Sequence, residues 1–226
     1  MTKRLLELFS GTGSVGKVAK YYGYEVISLD LQGADINIDI LDWDYKKYPR
    51  DYFSVVWASP PCRTFSILRG SHIGRSYKNG NSYTKESIEK DMIDIGLPIL
   101  RKTEEIIDYF NCKNYFIENP ATGKMKQFIN RPKIVVDYCK YSNWGYRKRT
   151  AIWTNLEGWK REPLCKQNCS NCVNGKHLIN FGITKKSKNY RPQVWTTIND
   201  RYRIPPMLLS EIFNTMIIND LNKLID

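Results

Sequence analysis

Apolar and polar positions along the first 120 residues repeat in a strand–helix order. Residues 4–9 form a nearly unbroken apolar run, as expected of a strand buried on both faces. A glycine-rich turn follows, and Val15, Val18, Ala19 and Tyr22 then recur at helical spacing. Residues 25–30 predict a second strand ending in an acid, residues 35–40 a short alternating third, and residues 53–58 a buried fourth. Residues 87–111 predict a helix with Ile95, Ile99, Ile106 and Phe110 turned inward and a kink at Pro98. Residues 114–118 predict a fifth strand, again ending in an acid, and residues 133–139 and 149–154 predict two more. Residues 206–224 predict an amphipathic helix through Leu208, Leu209, Ile212, Phe213, Met216 and Ile217. Strands separated by helices imply a mostly parallel sheet covered on both faces. Residues 63–90 break this order as a long polar loop, a kind that is usually functional or mobile. Residues 155–200 show little periodicity at all.

A chain of 226 residues suits one domain, or one with a small appendage, and can bury a core without staples. With no leader pattern and no long apolar run, a soluble intracellular protein is expected, in the cytoplasm or a nucleus and without a membrane partner. Six cysteines at this length argue for free thiols or metal rather than a disulfide framework. The net charge is +12, and its distribution says more than its total. Residues 131–193 hold fourteen Lys/Arg against three acids, a surplus of eleven. A surplus confined to one segment fits a polyanionic partner, nucleic acid above all, better than a merely solubilising face.

The candidate chemistry centres on Ser59-Pro60-Pro61-Cys62, just past the fourth strand. A rigid Pro-Pro turn at a strand end holds the next side chain, here a thiol, where a ligand could meet it. A thiolate there could add to C6 of a cytosine ring and make C5 enamine-like, ready to accept a methyl group. The plainer alternative is a cysteine serving as a small buried hydrophobe. Gly11-Thr12-Gly13-Ser14-Val15-Gly16 stands between a strand and a helix and suits dinucleotides and S-adenosylmethionine alike. Asp30 is placed for ribose hydroxyls, and Asp39-Ile40 for an adenine, the acid on its amino group and Ile40 on its face. Either acid could instead cap a helix or a turn. Cys62 favours the methyl donor, because hydride transfer has no need of a thiol. Cys165, Cys169, Cys172 and His177 form C-x3-C-x2-C-x4-H, which could close a structural zinc site; the rival is a loop with free thiols. Cys112 and Cys139 read as core packing.

Taken in order, these motifs resemble the cytosine-5 DNA methyltransferase family, most closely its small phage- and virus-encoded branch. Leu8-Phe9-Ser10-Gly11-Thr12-Gly13, Asp30, Asp39-Ile40, Ser59-Pro60-Pro61-Cys62-Arg63-Thr64-Phe65-Ser66, Glu118-Asn119, Arg147-Lys148-Arg149 and Ile204-Pro205-Pro206 follow the family's order. The departures are Arg63 where Gln is usual, Pro120 for Val, Gly145 for Gln, and a short segment between Thr154 and Arg201.

The resemblance implies a Rossmann-like class I methyltransferase fold, with residues 1–154 and 201–226 as the catalytic domain. Residues 155–200 would then be a small, irregular, basic target-recognition region. It implies that S-adenosylmethionine lies among Phe9, Ser10, Gly11, Thr12, Gly13, Ser14, Asp30, Leu31, Asp39, Ile40 and Pro61. Cys62 would attack C6 of a cytosine flipped out of the duplex. Glu118 would hold N3 and the exocyclic amine, and Arg149, with Arg147 as second candidate, would contact O2. Arg63, Ser66, Arg69, Arg75 and Lys78 would meet DNA as the 63–90 loop closes. The same chemistry on RNA, and an inactive nucleic-acid-binding relative, are the alternatives. A monomer is expected.

Overall fold

A computed structural model describes residues 3–76, 80, 82–179 and 197–225. Seven strands make one sheet: β1 (Arg4–Leu8), β2 (Glu25–Asp30), β3 (Ile36–Asn37), β4 (Val55–Ala58), β5 (Asn114–Pro120), β6 (Lys133–Asp137) and β7 (Arg149–Thr154). Their order across the sheet is β3-β2-β1-β4-β5-β7-β6. The first five are parallel, and β7 runs antiparallel to both β5 and β6. A two-stranded ribbon, β8 (Cys172–Val173) with β9 (Lys176–His177), stands apart.

Alternation along the strands divides the core into two layers. Leu6, Val56 and Ile117 face α3 (Leu97–Phe110) through Leu100, Ile106 and Phe110. Leu5, Val55 and Phe116 face α1 (Ser14–Tyr21) and α5 (Pro206–Asn222) through Val15, Ala19, Leu208, Ile212 and Phe213. Helices on both faces of a mostly parallel sheet are what the hydrophobic pattern predicts. Among the described residues, no helix is long and apolar enough to cross a membrane.

Four predicted elements differ. The third strand shrinks to Ile36–Asn37, and the sixth stops at Asp137, where Tyr138–Lys140 turn into a 3-10 helix. The 63–90 segment is not a plain loop. It holds a 3-10 helix at Ile67–His72 and then α2 (Lys85–Asp91), opened by a capping box between Thr84 and Ser87. Between α2 and α3 the chain widens into a π-helical turn, Met92–Gly96. Pro98 has no N–H for the turn before it, which favours such a widening. The extra residue shifts the helical phase: Ile95 is 51% exposed, while Met92, Gly96 and Leu100 are buried. At Gly96 a Cβ would overlap Thr64 Oγ1 and stand 3.1 Å from Phe65, so only glycine lets this helix seat against the segment after Cys62.

Strand direction decides what lies where. Parallel strands put the carboxyl ends of β1, β2, β4 and β5 on one edge, where open α/β sheets bind ligands. Because β7 is antiparallel, its beginning reaches that same edge: Pro120 pairs with Thr150. The end of β6 joins it, with Asp137 opposite Arg149.

Candidate active site

Past β1 the backbone goes left-handed at Phe9 (φ 58), Gly11 (φ 48) and Gly13 (φ 64) before α1 begins. Such geometry is rare for phenylalanine and gathers at functional sites. Asp30 ties the turn to β2: Gly11 N–H donates to Oδ2 (2.8 Å) and Leu31 N–H to Oδ1 (2.7 Å). Leu31, beside it, is 65% exposed and offers an apolar face. Asp39 accepts the N–H of Leu41 at 2.9 Å. Ile40 departs from expectation. It is buried in the core near Leu29 and Trp43, so its side chain packs the fold instead of presenting a face to a ring. Ser14 Oγ accepts the N–H of Ile204 (3.2 Å), which brings the last segment back to the turn.

Glu7 was not singled out by sequence. It is buried, and its carboxylate accepts the N–H groups of Val15 (3.2 Å) and Gly16 (2.9 Å) at the start of α1. A Cβ on Gly16 would come within 2.6 Å of Glu7 Oε2, so the glycine is what admits this cap. Burial outweighs the two bonds and lifts Glu7 from 4.5 to about 7. The folded chain then binds this proton more tightly than the unfolded one. Stability from this group falls as pH rises from about 4.5 to about 7, by on the order of 3 kcal/mol. Thermal melts across that range should show Glu7→Gln with a flatter pH slope than the parent; equal slopes would remove this account.

Cys62 is half-buried beyond β4. Its turn is clamped to β5, where buried Asn119 donates from Nδ2 to the Pro60 carbonyl at 2.8 Å. Burial, then the charge of Glu118, pushes the thiol up; the ammonium of Lys148 pulls it down. Glu118 is buried, and both of its recorded bonds fall on Oε1, from Tyr138 Oη (3.1 Å) and Lys148 Nζ (3.3 Å). Lys148 Nζ also lies 4.9 Å from the centre of the Tyr138 ring. A thiol, a carboxylate and an ammonium thus lie at one sheet edge, the charges of Glu118 and Lys148 both felt at the thiol and the phenol buried behind them.

No family model matches the chain. A Frog virus 3 (isolate Goorha) protein called "Probable DNA (cytosine-5)-methyltransferase" is 44% identical over 217 residues, covering 93% of this chain and 99% of the viral one. The chain belongs to the cytosine-5 DNA methyltransferase family. The solved structure of the Entamoeba histolytica methyltransferase EhMeth has the same fold (TM-score 0.50, 16% identity, 73% of this chain and 56% of that chain).

For a member of this family the position of Arg149 is unexpected. Its guanidinium forks onto Asp137, Nε to Oδ1 at 2.9 Å and Nη2 to Oδ2 at 2.7 Å. Glu118 pairs with Ile152, and Arg149, of opposite parity along β7, points to the other face of the sheet. Lys148, between the two predicted arginines, reaches Glu118 instead. Arg147 is exposed, and its charge is felt at His177. Tripeptide spacing cannot decide which of three neighbouring cations faces a carboxylate two strands away in sequence.

Among the predicted DNA contacts, Arg63 and Arg75 are exposed. Ser66 accepts the Leu68 N–H as a helix cap (3.3 Å). Arg69 corrects the expectation: it is 5% exposed and paired with Asp91 of α2, so it braces the fold and presents no guanidinium to a phosphate. Lys78, and residues 180–196 of the recognition region, lie outside the described residues. Cys165, Cys169 and His177 do converge, but the fourth atom of the group is Cys139 Sγ, with all four within 4.8 Å of one another. Cys172 falls outside that group, its Sγ 3.6 Å from that of Cys169. Cys112 packs as expected, its thiol pushed up to about 12 by burial.

Proposed function

We propose that this protein methylates C5 of cytosine in DNA, using S-adenosylmethionine and a transient bond between Cys62 Sγ and ring C6. The observation that carries the reading is the meeting of Cys62, just past β4, Glu118 near the end of β5 and Lys148, just before β7, at one edge of the sheet. The donor set on the other side of β1 suits the cofactor: Asp30 for ribose hydroxyls, Leu31 as an apolar face for adenine, and Phe9 through Ser14 as a close backbone cradle. When bound there, S-adenosylmethionine supplies an electrophilic methyl group.

The thiol of Cys62 gives up its proton to water, and its sulfur pair forms the bond to C6 as the C5=C6 π pair shifts onto C5. Glu118, held on Oε1 by Tyr138 and Lys148, keeps Oε2 to accept from the exocyclic amine of cytosine, where thymine presents a carbonyl. The ammonium of Lys148 stabilises the thiolate first and the charge that reaches the ring next. Once C5 has taken up the methyl group, water accepts the C5 proton; the C–H pair restores the C5=C6 bond and the C6–S pair returns to sulfur, releasing Cys62. The base must leave its stack for this, since C6 cannot be reached inside a duplex. Exposed Arg63 and Arg75 beyond the nucleophile, and the surplus of eleven cations between residues 131 and 193, would hold the phosphates. Residues 155–200 serve as the target-recognition region.

The test supplies methyl-labelled donor with duplex DNA in one reaction and tRNA in another. The expected product is 5-methylcytosine in DNA. Label in tRNA alone would overturn the choice of substrate, and label in neither would overturn the enzymatic reading.

A further inference from the structure

We propose that Cys139, Cys165, Cys169 and His177 bind one structural zinc ion that fastens the basic insertion to the active edge of the sheet. All four ligand atoms lie within 4.8 Å of one another, and two of the separations match tetrahedral zinc. His177 Nε2 is 3.6 Å from Cys165 Sγ and 3.5 Å from Cys169 Sγ. Tetrahedral zinc with Zn–S of about 2.3 Å and Zn–N of about 2.0–2.1 Å requires S···N of about 3.5 Å. The backbone is shaped for thiolate: Gln167 turns left-handed (φ 65) and its N–H donates to Cys165 Sγ at 3.3 Å.

The segment also has little apolar core of its own. Between residues 160 and 179 only Cys165 and Asn171 are buried. Asn171 docks this hairpin by donating to the carbonyls of Cys139 (2.9 Å) and Ser142 (2.7 Å) and accepting from Gly145 N–H (2.8 Å). Twenty residues with so little apolar burial need a cross-link. Cys139 supplies its anchor, because it stands just beyond the end of β6 in the body of the domain. The cluster also touches the catalytic strand. Buried Asp137 accepts the N–H of Cys165 (2.9 Å) while gripping Arg149 at the start of β7. The ion therefore fixes both the insertion and the approach of β7, on which Lys148 depends.

The full-length protein, purified without chelator, should carry one zinc per chain by elemental analysis. X-ray absorption should show three sulfurs and one nitrogen. Cys172→Ser should keep the metal and Cys139→Ser should lose it. Because Cys139 is buried and its variant could fail to fold, thiol alkylation of the parent gives an independent reading. Cys139, Cys165 and Cys169 should be protected until a chelator is added, while Cys172 reacts throughout. Absence of zinc overturns the proposal. Loss of zinc in Cys172→Ser, its retention in a folded Cys139→Ser, or protection of Cys172 overturns the ligand set.

Discussion

Cys62→Ala should reduce methyl transfer by at least about 10³-fold, since it removes the nucleophile that makes C5 reactive. The loss should fall on the chemical step and leave DNA binding nearly intact. The thiol is only half-buried, and the bond that clamps its turn, Asn119 to the Pro60 carbonyl, does not involve it. In the presence of S-adenosylmethionine, a duplex carrying 5-fluorocytosine should trap the parent as a covalent complex stable to denaturation. Fluorine cannot depart from C5 as the proton does, so the Sγ–C6 bond has no exit. No adduct should form with Cys62→Ala. Transfer within tenfold of the parent, or an adduct mapped to another residue, would end the covalent mechanism at Cys62.

The second large effect belongs to Lys148. Lys148→Met should lower kcat by about 10²–10³-fold, the usual cost of removing one preorganised charge-stabilising donor. It should also move the rising limb of the pH–rate profile to higher pH. Burial and Glu118 both raise the Cys62 thiol, and Lys148 is the cation that opposes them. Without it a smaller share of thiolate exists at any pH below the thiol's pKa. Lys148→Arg, which keeps the charge, should restore much of the rate and most of the pH profile. The methionine variant leaves Glu118 buried with one donor fewer, so a stability loss of a few kcal/mol is expected as well. The pH shift separates the catalytic effect from that loss. If Arg149→Met damages the chemical step more than Lys148→Met, the assignment made from the sheet register is wrong.

Much of the fold was readable from the chain. Apolar runs at residues 4–9 and 114–118 became β1 and β5 because a strand buried on both faces has no polar side to hide. The pairing of Ser59-Pro60-Pro61-Cys62 with the end of a buried strand was readable for the same reason. Ile95 was misplaced because the helical period assumes an unbroken α-helix, and a π turn ahead of Pro98 changes the phase. Arg69 reads as solvated because it stands in a polar segment and its partner, Asp91, lies 22 residues away. Cys139 lies outside the C-x3-C-x2-C-x4-H pattern because this thiol is 26 residues upstream of the next member of the group.

The order of elements, the cofactor turn and the nucleophile's place at a strand end were fixed by local pattern. Hydrophobic period and turn chemistry act over a few residues, and a sequence displays them directly. Which cation faces Glu118, which thiol completes the metal group and which arginine is buried were decided only by tertiary structure. Each depends on the register of β7 against β5 and β6 or on a contact between distant segments, and a one-residue change of register exchanges the two faces of a strand.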